Sequence, residues 1–122
     1  MKRNITASTT IEEVTETFVE LVHQKLHPGG YSVDYEGILP NVKLTAYADG
    51  SDSNMMPKLD LKVSEYEPNV YEVIPTLSFP VLTTNSNDYA DTIHYYLSQW
   101  EQLGRCITEL NGFLFDADAY RE

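Results

Sequence analysis

Two histidines near residue 25 have the spacing of a metal-binding pair. His23 and His27 are four residues apart, so a helix would place both imidazoles on one face, where a zinc ion could bridge them. A zinc protease would also need a glutamate beside the first histidine as general base, but Gln24 occupies that position. A structural zinc site would need a third ligand, for which Glu20 and His94 are the candidates. We expect no metal site, and interpret the pair as solvent-facing histidines near a helix C-terminus, where the helix dipole favours positive charge.

The only cysteine, Cys106, is the second candidate for chemistry. A catalytic thiol needs a base within hydrogen-bond reach. His94 precedes Cys106 by twelve residues, about 18 Å along one helix at ~1.5 Å per residue, which excludes that pair as a dyad. We expect no catalytic residue; the alternative, a small-ligand-binding domain or modest enzyme, would have to use His23, His27 or Cys106. A single cysteine also forms no intrachain disulfide, so folding needs no oxidising compartment.

The loop around residue 50 carries oxygen ligands without the spacing of a calcium site. Asp49, Asp52 and Asn54 lie in it, but an EF-hand loop that started at Asp49 would need glycine at its sixth position and glutamate at its twelfth, where this chain has Asn54 and Asp60. Gly29-Gly30 follows a predicted helix, whereas a phosphate-binding loop opens one. We therefore expect a polar turn here and no cofactor.

The charge balance says more about partners than any motif does. The chain has 122 residues, and 19 acidic against 8 basic residues give a net charge of −11. Every segment after residue 9 is net negative, and only the N-terminal tip is basic. Such a surface repels phosphate backbones and anionic membranes, so basic protein surfaces are the natural partners. The alternative is that the charge only keeps the protein soluble. No stretch resembles a signal peptide or a membrane span, so we expect a cytoplasmic protein, in the host cell if it is viral.

A helix is predicted to begin after Thr10. Thr10 and Glu13 form a capping box, and an apolar stripe recurs at three- and four-residue spacing as far as Leu26. Acidic residues crowd the early turns, where the helix dipole favours them. Pro28 and the two glycines after it end the helix. The early acidic residues are Glu12, Glu13, Glu16 and Glu20.

Four strands are predicted after this helix, because the apolar period changes from 3.6 to 2. They cover residues 31–36, 42–48, 58–64 and 70–82. Pro75 and Pro80 cannot donate to a ladder, which makes the fourth an edge strand that could break near Pro75. We predict a flexible lead-in over residues 1–9 and a single α+β domain over residues 10–122, in the order α-β-β-β-β-α. Its antiparallel meander would carry both helices on one face.

The longest periodic pattern spans residues 88–115 and predicts a helix of about 42 Å at ~1.5 Å per residue. In heptad notation we expect the a and e positions to pack on the sheet and the first helix, and part of the d and g side to meet a second copy. Gly104 would mark a close backbone approach or a bend. The a positions are Ile93, Trp100, Ile107 and Leu114, the d positions Tyr96, Leu103, Leu110 and Ala117, the e positions Leu97 and Gly104, and the g positions Cys106 and Phe113.

These features favour a non-enzymatic, acidic protein–protein interaction module that forms a homodimer through the 88–115 helix. A sharper hypothesis makes it a small phage or mobile-element inhibitor that mimics nucleic acid and engages a basic nucleic-acid-binding surface of a host protein. A viral structural or assembly subunit is a further alternative. Direct binding of nucleic acid or membrane is not expected. The predicted interaction residues are Tyr95, Trp100, Glu101, Leu103, Gly104, Leu110, Asp49, Asp52, Tyr47 and Tyr66.

Overall fold

A computed structural model describes residues 10–50, 53–79 and 89–120 of the chain. In these ranges two helices and a five-stranded antiparallel meander form an α+β fold, which confirms the predicted class. The helices are α1 (Ile11–Leu26) and α2 (Tyr89–Leu110), and the strands are β1 (Tyr31–Glu36), β2 (Lys43–Ala48), β3 (Lys58–Glu67), β4 (Val70–Ser78) and β5 (Leu114–Asp116). Short 3-10 turns cover His27–Gly29, Ser53–Met55 and Ala117–Tyr120. The predicted lead-in, residues 1–9, lies outside the described ranges.

Helix α1 begins and ends where its sequence signals predict. The Thr10 N–H donates to a Glu13 carboxylate oxygen at 2.9 Å, and the Glu13 N–H donates to the Thr10 hydroxyl at 3.2 Å. After Leu26 the chain enters the turn that contains Pro28, and Gly30 takes a left-handed φ of 88° to start β1. The buried stripe of the helix is Val14, Thr15, Phe18, Val19, Val22 and Leu26.

The sheet presents one apolar face to the helices. Strand order follows the sequence from β1 to β5, and each neighbouring pair is antiparallel. On the helix side the Phe18 ring lies 5.0 Å from that of Phe115 and 6.5 Å from that of Tyr71, which joins α1 to β4 and β5. The buried sheet residues of this face are Tyr31, Val33, Leu44, Leu59, Tyr71, Val73 and Phe115.

Helix α1 also covers the free edge of β1. The Val33 N–H donates to Nδ1 of His23 at 3.3 Å. Eight residues earlier on α1, the Thr15 hydroxyl accepts the Leu39 N–H at 3.0 Å and donates to the Ile11 carbonyl at 2.8 Å. Because an uncovered edge strand is a template for aggregation, these side chains protect one end of the sheet.

The long helix is shorter than predicted, and a fifth strand follows it. Helix α2 ends at Leu110, Gly112 adopts a φ of 92°, and Phe113 donates to the Leu110 carbonyl at 3.0 Å. Leu114 and Ala117 therefore do not continue the helical seam. Instead Leu114–Asp116 pairs with the start of β4. The sequence did not predict β5, because a strand of three residues is too short to show an apolar period of 2, and its residues also fit the heptad pattern of the preceding helix.

Strand β4 is an edge strand over only part of its length. β5 pairs with Val70–Glu72, so β4 from Val73 to Ser78 has β3 as its one neighbour in the described chain. The strand runs through Pro75, opposite Leu61, without a break. Pro80 lies outside the described residues. The predicted edge is thus confirmed for the second half of β4.

The prediction of which side of α2 faces the core is wrong. Leu103 and Leu110 at d and Cys106 at g are the buried residues of the helix, with exposed fractions of 1%, 1% and 7%. Ile93 at a and Leu97 at e are 43% and 51% exposed. The core therefore takes the d and g side, part of which we assigned to a second copy. The buried side chains described in α2 all lie in its second half, where the d and g positions face α1 and the sheet.

Candidate interaction surfaces

The predicted interaction residues do not converge on one surface. Tyr95, Glu101 and Gly104 are exposed on α2, and Trp100 is half-buried there. Three others lie on other elements: Tyr47 and Asp49 at the end of β2, and Tyr66 at the end of β3. Asp52 lies outside the described residues. For Leu103 and Leu110 the prediction is wrong, because both are 1% exposed in the chain's own core.

The rings of the two histidines contact each other at a tilt of 30°, but His23 has no free electron pair for a metal. Their ring centroids are 5.1 Å apart. A neutral imidazole has one nitrogen acceptor, and in His23 this is Nδ1, which the Val33 N–H already occupies. His27 lies outside this hydrogen bond, with Nδ1 4.0 Å from an Asp49 carboxylate oxygen. Within the described ranges no three His, Cys, Asp or Glu side chains converge as metal ligands, and neither Glu20 nor His94 completes such a set.

Cys106 is buried, and its thiol lacks the features of a reactive cysteine. It is 7% exposed and lies under Gly29, in the turn that links α1 to β1. Burial raises the pKa of the thiol and the Glu109 carboxylate raises it further, while a hydrogen bond with the Gly29 backbone acts in the opposite direction. Reactive cysteines have a lowered pKa and are partly exposed, so this environment is that of a structural residue.

Helix α1 gathers four glutamates on its solvent side. Glu12, Glu16 and Glu20 stand at successive i, i+4 positions, about 6 Å apart along the axis, and Glu13 lies beside them. All four are exposed. We call these residues, Glu12, Glu13, Glu16 and Glu20, the α1 acidic column. The helix dipole favours Glu12 and Glu13, which lie in the first turn, but it fades beyond that turn. Like charges at i, i+4 destabilise a helix by about 0.2–0.5 kcal/mol per pair, so Glu16 and Glu20 are not explained by the stability of α1.

No lysine or arginine of the described ranges forms an ion pair with the column. Lys25 lies 3.9 Å from Glu109, and Arg105 lies 3.3 Å from Glu101. Strand alternation places the other described basic residues on the sheet face that points away from the helices. These residues are Lys43, Lys58 and Lys62. Among the described lysines and arginines, each thus either pairs with another glutamate or lies on the far face of the sheet, away from the column.

The first half of α2 exposes apolar side chains. Ile93 and Leu97 are one helical turn apart and about half exposed, and Tyr95 is 48% exposed with its ring 5.0 Å from that of Tyr96. Near the middle of the helix, Phe79 at the end of β4 is 60% exposed and lies 5.4 Å from Trp100 in an edge-on contact. Trp100 Nε1 is buried and has no hydrogen-bond partner among the described residues.

A cavity of about 310 Å³ separates the free edge of β4 from the last turn of α2. Val73 and Pro75 line it from the strand, and Ile107 and Leu110 line it from the helix. Among the described residues that line it, Glu72 is the one with a charge. The remaining lining residues are Ile74, Thr108, Asn111 and Gly112.

A second cavity, of about 400 Å³, lies between β2 and β3. The ladder between these strands holds one pair, Thr45 with Asp60. Lys43, Lys58 and Asp60 line the opening. Since charges of both signs surround it, this cavity does not select a ligand by charge.

Comparison of the chain with models of protein families, with curated proteins and with solved structures found no match. None of the described helices has the length and apolar character needed to cross a bilayer. The chemistry of the surfaces is therefore what supports a function for this chain.

Sequence reasoning missed both the α1 acidic column and the β4–α2 cavity. The i, i+4 spacing of Glu12, Glu16 and Glu20 was the signal for the column, but in the first turns of a helix the dipole accounts for glutamates equally well. No sequence signal marked the cavity. It exists because α2 ends at Leu110 and the chain then returns to β4, where a longer helix was predicted.

Proposed function

We propose that the chain is a non-enzymatic interaction module that binds a basic protein surface through the α1 acidic column. The observation that carries this proposal is the row of Glu12, Glu16 and Glu20, exposed at i, i+4 spacing without a cation from the described chain. A basic surface would relieve the repulsion within the row and add charge pairs. The module would act in the cytoplasm, since its one thiol is buried and no disulfide holds the fold.

A titration with a lysine-rich peptide of about 20 residues tests this proposal by nuclear magnetic resonance. We expect the largest shifts of backbone amides along the exposed side of α1, around Glu16 and Glu20, and small shifts around Asp34 and Glu36 on β1. Shifts spread evenly over all acidic residues would contradict the proposal and would mean that the charge serves solubility alone.

The sharper form of the proposal is nucleic-acid mimicry. If the partner uses the same basic surface for the column and for phosphates, duplex DNA and this protein compete for it, with a strong dependence on salt. Competition with a basic nucleic-acid-binding protein, followed by fluorescence anisotropy of labelled DNA, tests this form. Displacement of the DNA supports mimicry; a ternary complex restricts the proposal to basic surfaces that do not bind nucleic acid.

We also propose that two copies pair through the first half of α2. Ile93 and Leu97 support this, because two exposed aliphatic side chains one turn apart make an apolar stripe that a second helix can cover. Sedimentation velocity over a range of concentrations tests it, with Leu97→Ser as the variant and Leu114→Ser as the control. Leu114 is 43% exposed on β5, so both changes remove a similar exposed side chain. We expect weaker association for Leu97→Ser alone; a strictly monomeric wild-type protein would contradict the pairing.

A further inference from the structure

Asn111 and Gly112 form the turn that follows α2, and they are the one Asn-Gly pair in the sequence. Both residues are exposed. The side-chain amide of an asparagine can be attacked by the backbone nitrogen of the next residue, and glycine hinders this attack least because it has no Cβ. The pair is therefore a candidate for spontaneous deamidation, and the hydrogen bonds around it decide whether the fold permits the reaction.

The hydrogen bonds of this turn leave the reacting groups free. The Asn111 N–H donates to the Ile107 carbonyl at 3.1 Å. The Phe113 N–H donates to the Leu110 carbonyl at 3.0 Å. Between these two donors, the Gly112 N–H reaches no backbone carbonyl of the described chain. The side-chain amide of Asn111 also has no hydrogen-bond partner among the described residues. The nitrogen that would attack and the amide that would be attacked can thus approach each other.

Two other exposed asparagines of the described chain lack this combination. Valine follows both Asn41 and Asn69, and its branched Cβ crowds the backbone nitrogen that would attack. The side-chain amide of Asn69 also donates to a carboxylate oxygen of Asp118 at 3.2 Å, which restrains it. Asn41 and Asn69 therefore serve as controls within the same molecule.

We propose that Asn111 deamidates spontaneously in the folded protein and that the products loosen β5. The Gly112 nitrogen loses its proton to a base in the solvent and forms a bond with Cγ of Asn111, while the bond from Cγ to Nδ2 breaks. Nδ2 takes a proton from water and leaves as ammonia, so that a cyclic succinimide remains. Water then opens this ring at either of its carbonyls. Opening at Cγ gives aspartate, and opening at the backbone carbonyl gives isoaspartate, in which the main chain runs through Cγ.

Both products act on the connection between α2 and β5. Each adds a negative charge at the C-terminus of α2, where the helix dipole is already negative and the last turn holds Glu109 but no basic residue. Isoaspartate also lengthens the main chain by a methylene group inside the turn that Leu110 and Phe113 close. The next residue, Leu114, pairs with Glu72 of β4. Deamidation therefore weakens the pairing of β5 with β4.

Incubation of the purified protein at pH 8.5 and 37 °C, followed by tandem mass spectrometry of its peptides, tests the reaction. We expect Asn111 to gain the mass difference between an amide and a carboxyl group at least about tenfold faster than Asn41 or Asn69 does. Asn111→Gln keeps an exposed amide but would have to close a larger ring, so position 111 should stay unchanged in this variant. An Asn111 that stays intact, or equal rates at the three asparagines, would overturn the proposal.

Hydrogen exchange before and after this incubation tests the effect on β5. We expect the amides of Leu114–Asp116 to exchange at least about threefold faster in the incubated wild-type protein, and the amide of Phe18 in α1 to keep its rate. Asn111→Gln, incubated in the same way, is the matched control and should show no change at β5. Equal exchange at β5 in fresh and deamidated protein would overturn the structural part of the proposal, as would the same change in Asn111→Gln.

Discussion

Gly29 packs against the backbone of Leu103, so closely that a Cβ atom at position 29 would lie 3.0 Å from the Leu103 Cα. The same atom would lie 3.3 Å from Cys106 Sγ. This contact fixes the turn after α1 on the buried side of α2. The close backbone approach that we predicted at Gly104 therefore occurs at a different glycine, and Gly104 faces open space.

Gly29→Ala and Gly104→Ala should change stability in opposite directions. At position 29 the new methyl group meets backbone that cannot move freely, and we expect a loss of about 1–3 kcal/mol. At position 104, exposed inside a helix with nothing within 4 Å of a Cβ, we expect a gain of up to about 1 kcal/mol. Urea unfolding of the two variants checks both values. Equal effects of one sign would contradict the packing described for α2.

His23→Ala should destabilise the fold more than His27→Ala does. Loss of the His23 imidazole leaves the Val33 N–H at the covered edge of β1 without an acceptor, at a cost of about 1–3 kcal/mol. His27, with a side chain that is 64% exposed, should tolerate the change within about 0.5 kcal/mol. Urea unfolding measures both. A second measurement is the melting temperature of the wild-type protein with and without zinc. A rise with zinc would contradict the hydrogen bond in which His23 Nδ1 accepts the Val33 N–H.

Cys106 should react slowly with iodoacetamide while the protein is folded. Because burial raises the pKa of the thiol, a smaller fraction of it is thiolate than in the unfolded chain at the same pH, and the turn that contains Gly29 also blocks access. We expect alkylation to be at least about tenfold faster in urea than in buffer, both at pH 8.5. The pH at which the alkylation rate rises should also be higher for the folded protein than for the unfolded chain. Mass spectrometry of timed samples gives both rates, and equal rates would show that the thiol is accessible.

Tyr31 should make the protein sensitive to alkaline pH. The residue is 1% exposed and donates to the Pro57 carbonyl, and burial raises the pKa of Tyr31 to about 12. The folded pKa exceeds the unfolded value near 10, so the contribution is complete below about pH 10 and is lost as the pH rises to about 12. We expect it to be on the order of 2 kcal/mol.

Tyr31→Phe isolates this contribution, because phenylalanine keeps the ring and removes the titration. The difference in unfolding free energy between wild type and Tyr31→Phe should shrink between pH 9 and pH 12. Tyr47→Phe, which changes a tyrosine that is 46% exposed, is the control for removal of a phenolic hydroxyl. A constant difference for Tyr31→Phe would mean that the phenol does not titrate as described.

Local signals in the sequence were sufficient for most of the fold. The capping box at Thr10 and Glu13, the turn at Pro28 and the alternation in β1 to β3 all report on neighbouring residues, and all appear in the structure. Local signals of this kind did not predict where α2 ends. Leu114 and Ala117 fit the heptad by position. The chain nevertheless leaves the helix there, because β5 pairs with β4, whose residues lie more than 40 positions away in the sequence.

The surfaces were harder to predict than the elements. Heptad letters identify the apolar sides of α2 but not which side the core takes, because that depends on where α1 and the turn at Gly29 pack. The β4–α2 cavity depends on the same packing, as does the burial of Leu103 and Leu110. The α1 acidic column follows from the helix alone, and its exposure could be inferred once the buried stripe of α1 was known.

The affinity of a lysine-rich peptide for two charge-matched variants tests the account most directly. One variant changes Glu12, Glu16 and Glu20 to Gln, and the other changes Asp34→Asn, Glu36→Gln and Asp60→Asn on the sheet. Each raises the net charge from −11 by three units, to −8, and keeps Glu13 for the capping box. Urea unfolding accompanies the titrations. The column variant should have an unfolding free energy within about 1 kcal/mol of the wild-type value, because removal of two like-charge pairs offsets loss of the favourable interaction of Glu12 with the helix dipole.

We predict that the column variant binds the peptide at least about tenfold more weakly than the sheet variant at low salt. The reason is that the three carboxylates removed in the column variant lie in one row, whereas those removed in the sheet variant do not. A stability of the column variant close to that of wild type would show that its weaker binding does not come from unfolding. Equal affinities of the two variants would contradict the account, since binding would then follow net charge and not the α1 acidic column.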